Sequence, residues 1–152
     1  MQVKTSLPVC FAGVLITVFS ACKKDDKKAA PSKMDLLTSG HWKMTTYTLS
    51  PPIDLDGDGK LDSDGLATFP SCKKDDFFVF KKDGTGEKNE GLTKCSASDP
   101  QAETINWAFV NDEKEIIIDN IRTTIMELAK SRLRVTVSIL NSTGDITFTN
   151  IK

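Results

Sequence analysis

Five carboxylates crowd into eleven residues at Asp54-Leu-Asp56-Gly-Asp58-Gly59-Lys60-Leu61-Asp62-Ser-Asp64-Gly65, relieved only by Lys60. Like charges this close repel one another, and a divalent cation reverses the penalty. Counted from Asp54, carboxylates stand at positions 1, 3, 5 and 9, a glycine at 6 where the chain must turn sharply, and the Lys60 carbonyl at 7, which is the spacing of a calcium loop. Position 12 holds Gly65 in place of a bidentate glutamate, so Asp64, one residue early, has to close the site. The expected ligands are Asp54, Asp56, Asp58, Lys60 through its carbonyl, Asp62 and Asp64, and the expected cofactor is a structural Ca2+. Binding should be weak, near the ~10⁻⁴ to 10⁻³ M of extracellular modules, because Pro51-Pro52 precedes the loop and no helix-forming sequence flanks it. A solvated acidic turn is the competing reading, since Asp-Gly pairs are also ordinary turn formers.

Catalytic chemistry finds less footing. His41 is the one histidine and sits beside Trp42 at the start of an alternating run, where a structural role is expected. No Gly-x-Ser-x-Gly, His-Glu-x-x-His, Cys-x-x-Cys or glycine-rich phosphate loop occurs. Glu103, Asp119 and Glu127 offer carboxylates, but charges at strand edges ordinarily face water. The chain is read as no enzyme.

Cys22 belongs to a different chemistry. Lys4 precedes an apolar run from Val9 to Phe19, which closes on Ser20-Ala21 just before the cysteine. This is a secretory signal, and its core is too short for the roughly 20 residues a bilayer span requires. The pattern resembles the lipobox of bacterial lipoproteins, which implies cleavage before Cys22 and acylation of that residue; an ordinary signal peptide cut after Ala21 is the alternative. The expected address is therefore a bacterial cell envelope, with a lipid anchor in the outer membrane facing either the periplasm or the outside. Residues 23–33, KKDDKKAAPSK, bury nothing large enough to order themselves. They read as a tether of at most ~40 Å.

Loss of residues 1–21 removes one Lys and no acid, leaving 19 basic against 21 acidic residues among 131. Acids and bases are mixed along the chain, so nucleic acid is excluded as a partner for want of a basic stripe. The remainder suits one domain, residues 34–152, and a monomer is favoured.

With Cys10 removed and Cys22 acylated, Cys72 and Cys95 are left as a pair in an oxidising compartment. If Asp83-Gly84 is a two-residue turn, cross-strand partners are those whose numbers sum to 167, and Cys72 and Cys95 do. A turn on Gly84-Thr85, or on all of Asp83 to Gly86, shifts that register; two free thiols or a metal pair are the alternatives to a bridge.

From Met34 onward apolar residues recur mostly at period two, which predicts strands. Ser32 is positioned to cap a helical turn through Leu37, ended by Gly40. The first strand is read with Trp42, Met44 and Thr46 on one face and Lys43, Thr45 and Tyr47 on the other. Further strands are expected at 77–81, 104–110, 115–119, 123–128, 133–139 and 146–151, separated by turn residues. Residues 125–132 are good helix formers, yet the clean alternation of Leu133, Val135, Val137 and Ile139 favours a hairpin there.

Gly40-His-Trp42, Asp54-x-Asp-Gly-Asp-Gly, Pro70-x-Cys72-x-Lys-Asp-Asp before a Phe-rich strand, Asp83-Gly84-Thr, Lys94-Cys95 before Asp99-Pro100, Trp107 and Ile-x-Glu-Leu ahead of Arg132-Leu133 follow one another in order. Over residues 35–140 the chain resembles the bacterial lipocalin-like domain lipoproteins. The resemblance implies an all-β fold, a small up-and-down antiparallel barrel of about eight short strands, and it transfers no catalytic residue. A barrel that size is filled by side chains or holds one small ligand. Trp42, Met44, Phe77, Val79, Ile105, Trp107, Phe109, Val135, Val137 and Phe148 are the candidates to line a pocket, or else to form plain core. Two functions follow: a lipid-anchored module that binds a small hydrophobic ligand, or an envelope scaffold with a filled barrel and a calcium-stabilised loop.

Overall fold

The computed structural model describes Met1 and residues 29–152. Residues 2–28, which carry the expected signal, Cys22 and most of the tether, lie outside the described residues. No helix among the described residues is long and apolar enough to cross a membrane.

A single turn of helix opens the domain. In α1 (Lys33–Leu37) the Ser32 hydroxyl accepts the Asp35 amide at 3.0 Å, the expected cap, and the helix ends on Thr38, whose amide reaches back to the Met34 carbonyl. Nine strands follow: β1 (His41–Ile53), β2 (Asp62–Asp64), β3 (Phe77–Phe80), β4 (Thr85–Asn89), β5 (Ala102–Val110), β6 (Glu115–Ile118), β7 (Ile121–Leu128), β8 (Arg132–Ile139) and β9 (Ser142–Asn150). Every pairing is antiparallel, neighbours in sequence are neighbours in space from β3 to β9, and β1 pairs with both β3 and β9. Eight strands thus close an up-and-down barrel, as expected, and β2 adds to the far end of β1. The hairpin of β7 and β8 prevails over a helix at residues 125–132, because Leu133 and Val135 are buried by their alternation.

Three departures from the sequence reading decide which side chains face the barrel interior. Thr45 is a bulge: Met44 pairs with Phe148 and Thr46 with Thr147, so one residue is extra and the parity of β1 flips. Tyr47 and Leu49 consequently turn inward and are buried. In β3 the inward residues are Phe78 and Phe80, since Phe78 sits opposite the buried Trp42. Phe77 and Val79 take the other face, where Phe77 stacks on His41 with ring centroids 5.0 Å apart. Finally, β4 is a polar strand without alternation, and Gly86 takes the inward place opposite Phe80 because a Cβ there would lie 2.5 Å from the Val79 carbonyl oxygen and against Ile105.

The core gathers at the end of the barrel that α1 covers. Leu37 and Trp42 are wholly buried, and Trp42 Nε1 donates to the Leu37 carbonyl at 2.7 Å. Trp107 is tied to the β3–β4 turn, its Nε1 donating to Thr85 O at 2.8 Å and Lys81 O at 3.1 Å. Phe80 and Phe109 pack edge-to-face on its ring.

Candidate functional site

Four of the ten proposed lining residues, Met44, Ile105, Val135 and Phe148, do surround a cavity of about 330 Å³ inside the barrel. Trp42, Trp107 and Phe109 belong to the packed core or its margin, Phe77 and Val79 face away, and Val137 packs beside Tyr47 around Gly144. The sequence reading left out Phe78 and Phe80, whose parity it reversed, and Ile116, Ile118, Ile121, Leu133 and Ile146, which complete the apolar wall. The volume is at the small end of what drug-sized ligands occupy. A second cavity, about 410 Å³, lies between this wall and the segment Leu66, Phe69 and Pro70, and shares Met44, Phe78 and Lys88 with the first.

Polar groups collect at the rim. Lys88, Glu103, Thr104, Asp119 and Thr123 border the first cavity, and Lys73, Asp76 and Lys88 border the second. Lys73 is paired with Glu90, and its ammonium stands 3.9 Å from Asp76 Oδ2, the same distance that Lys88 keeps from that oxygen. Burial, then the neighbouring Glu90 charge, pushes the Asp76 carboxyl above the ordinary aspartate range. The Lys73 hydrogen bond holds Glu90 below the ordinary glutamate range. Of the carboxylates first considered for chemistry, Glu103 and Asp119 reach the rim, where Asp119 accepts the Asn106 amide at 2.8 Å; Glu127 instead meets Arg132 at 3.6 Å.

The rim is stapled covalently. Cys72 and Cys95 form a disulfide with Cα atoms 5.1 Å apart, well inside the span a bridge requires. The partners are those expected, but the ladder is not: Phe77 pairs with Asn89 and Phe80 with Gly86, so partner numbers sum to 166 and the ladder stops before either cysteine. Lys81 and Thr85 close a loop one residue longer than Asp83-Gly84 alone. Cys72 lies in a 3-10 turn (Ser71–Lys73), brought to Cys95 by local folding. Asp75 adds to the staple, its Oδ2 accepting the Leu92 and Thr93 amides at 2.8 and 3.0 Å. Gly91 allows this approach, with φ of +65° and a Cβ position only 2.5 Å from the Asp75 carbonyl oxygen.

Of the acidic loop, the structure brings three residues together. Carboxylate oxygens of Asp54, Asp56 and Asp58 lie within 4.8 Å of one another. Each also accepts a backbone amide: Asp54 those of Gly57 and Gly59, Asp56 that of Asp58, Asp58 that of Lys60. The Lys60 ammonium sits 2.7 Å from Asp58 Oδ2 and lowers that carboxyl's pKa. Asp62 and Asp64 are turned elsewhere, Asp62 to the Leu55 amide and Asp64 to the amides of Leu66 and Ala67. The loop is thus a set of carboxylate-capped turns with three oxygens convergent rather than five.

Among curated proteins none matches the chain. A family match does, to the lipocalin-like domain, and it runs over residues 38–135, from the end of α1 into β8. That span takes in every strand of the barrel but β9 and the end of β8, in a chain that folds as a closed eight-stranded antiparallel meander; the chain belongs to the lipocalin-like domain family.

Proposed function

We propose that this protein is a non-enzymatic binding module, held to a bacterial outer membrane through lipid on Cys22, that takes one small hydrophobic ligand into its barrel. The observation that carries the reading is the apolar cavity of about 330 Å³ between Met44, Phe78, Ile116, Val135 and Phe148: a closely packed interior leaves few voids of that size. Anchoring is supported by the signal pattern ending at Cys22 and by the run KKDDKKAAPSK at residues 23–33 that follows it, which carries no large apolar residue. The acidic loop beside the rim supports a structural role for Ca2+ at Asp54, Asp56 and Asp58.

Titration of the purified protein with N-phenylnaphthylamine, a neutral apolar fluorophore, tests the cavity. Saturable enhancement is expected in the wild type, with a loss of at least ten-fold in affinity when Val135→Trp fills the space and leaves the far-ultraviolet spectrum unchanged. Equal binding by a folded Val135→Trp protein sinks the reading.

A further inference from the structure

The interior wall changes character toward the rim. Register places Trp42, Phe78, Lys88 and Glu103 side by side on the inner face of four successive strands, two apolar residues followed by a base and an acid. Alternation carries the pattern on: Asp76 stands two residues before Phe78, and Glu90 two after Lys88, so both aim inward. Their side chains are only 10% and 7% exposed. Charged residues buried on the inside of a barrel are costly unless fully partnered.

These are not fully partnered. Asp75 Oδ1, Asp76 Oδ1 and Glu90 Oε2 are buried with no hydrogen-bond partner among the described residues, and of these Asp76 borders the cavity. The nearby cations are already engaged, Lys73 by Glu90 and Asp76, and Lys88 by Asp76 at the loose distance of 3.9 Å. What the corner lacks is donors. Asp76 borders the cavity beneath Leu66, Phe69 and Pro70, which joins the barrel cavity at Met44, Phe78 and Lys88.

We propose that the ligand is a single-chain amphiphile with a primary amine or ammonium head, its alkyl chain along Phe78 and Phe148 and its N–H groups donated to Asp76 Oδ1 beneath the Leu66–Pro70 segment. The proposal rests on the cavity being a ligand site. A carboxylate head fits poorly, because it would bring a further negative charge to Asp75, Asp76, Glu90 and Glu103, which only Lys73 and Lys88 offset. It would also leave the orphaned oxygens unmatched, at the desolvation cost such atoms carry. An ammonium supplies the missing donors and opposes both the burial and the Glu90 charge that push the Asp76 carboxyl up.

The experiment is displacement of bound N-phenylnaphthylamine from the purified protein by decylamine, decanol and decanoate at neutral pH and 150 mM salt, where distant surface charges are screened. Decylamine is expected to displace at a concentration at least ten-fold lower than decanoate, with decanol between them. Asp76→Asn is expected to abolish that preference, bringing the decylamine and decanoate displacement concentrations within two-fold of each other. Equal displacement by amine and carboxylate in the wild type overturns the proposal without any variant, and so does a preference that survives in Asp76→Asn. If the probe itself does not bind, the cavity reading falls first and this one with it; if it binds without head-group discrimination, only this one falls.

Discussion

Trp42 Nε1 donates to the Leu37 carbonyl at 2.7 Å, and neither residue exposes any surface. This bond joins the end of α1 to the start of β1 and closes one end of the barrel. Buried backbone carbonyls are nearly always paired, so the indole N–H does two things at once: it fills the plug and satisfies the helix end. Trp42→Phe keeps much of the apolar volume but strands the carbonyl, which costs about 1–3 kcal/mol, before any loss from the smaller ring. A drop of that size in unfolding free energy by urea titration is expected. An unchanged midpoint would show that α1 is not part of the cooperative unit.

The Cys72–Cys95 bridge closes a segment of 24 residues, and the chain-entropy account gives it roughly 3 kcal/mol of stabilisation. Asp75 and the Lys73–Glu90 pair hold the same two segments together. Replacement of both cysteines by serine should therefore lower stability by about that amount yet leave a folded barrel with its strand content intact. Urea unfolding of the double variant, compared with the oxidised wild type, checks both halves of the expectation. Collapse of the β-signal in the variant would show that the noncovalent staple is too weak to act alone.

How far the fold was legible follows from where alternation was clean. Ile105 and Trp107 on one side of β5, and Leu133, Val135 and Val137 on one side of β8, are readable because polar residues separate the apolar ones, and Ser32 is readable as a cap from its place before a helix-forming run. Phe77-Phe78-Val79-Phe80 offers no polar residue to set its parity, and the wrong pair was assigned to the interior. The Thr45 bulge leaves no mark among the threonines that surround it. Asp119-Asn120, which take positive φ in the tight β6–β7 turn, are a turn signal, whereas the period-two reading runs a strand through Asp119. Asp76, Lys88 and Glu90 escaped notice for a physical reason: a charged residue in a strand ordinarily faces water, and only the register across β3 and β4 turns these three inward.

The lipid proposed on Cys22 makes a prediction that the barrel cannot influence. The wild-type protein should partition into the detergent phase on warming Triton X-114 and should gain mass corresponding to acyl chains, whereas Cys22→Ala should stay aqueous and unacylated. Detergent partition of the Cys22→Ala protein would point to an anchor other than that cysteine.

The acidic loop predicts a competition. Lys60 occupies Asp58 Oδ2 at 2.7 Å, so a Ca2+ gathered by Asp54, Asp56 and Asp58 must displace an ammonium before it can bind. Removing that ammonium with Lys60→Gln should tighten calcium binding several-fold, and removing the central carboxylate with Asp56→Ala should abolish it. Isothermal titration with CaCl2 across the three proteins reads the order directly. Absence of heat in both the wild type and Lys60→Gln would leave the loop as a hydrogen-bonded turn.

Asp76 and Glu90 flank one ammonium, that of Lys73, yet the fold moves their acidities apart. Asp76 holds its proton more tightly folded than unfolded, because burial and the Glu90 charge outweigh Lys73 and Lys88, with Asp75 adding to the repulsion. Its contribution to stability is therefore full below the ordinary aspartate range of about pH 4 and is lost as pH rises through the raised folded value. Glu90 behaves in the opposite sense: the Lys73 hydrogen bond lowers its pKa, so its contribution is present above about pH 4.3 and is lost as pH falls through the lowered folded value. Between about pH 3 and pH 7, Asp76→Asn should gain melting temperature relative to wild type, by a few degrees, while Glu90→Gln should lose it, the three curves converging at the acid end. Two parallel shifts of the same sign would mean that the corner acts as a single packed unit. Divergence would show instead that one buried carboxylate is stabilised by its lysine while the other stands ready for a donor from outside the chain.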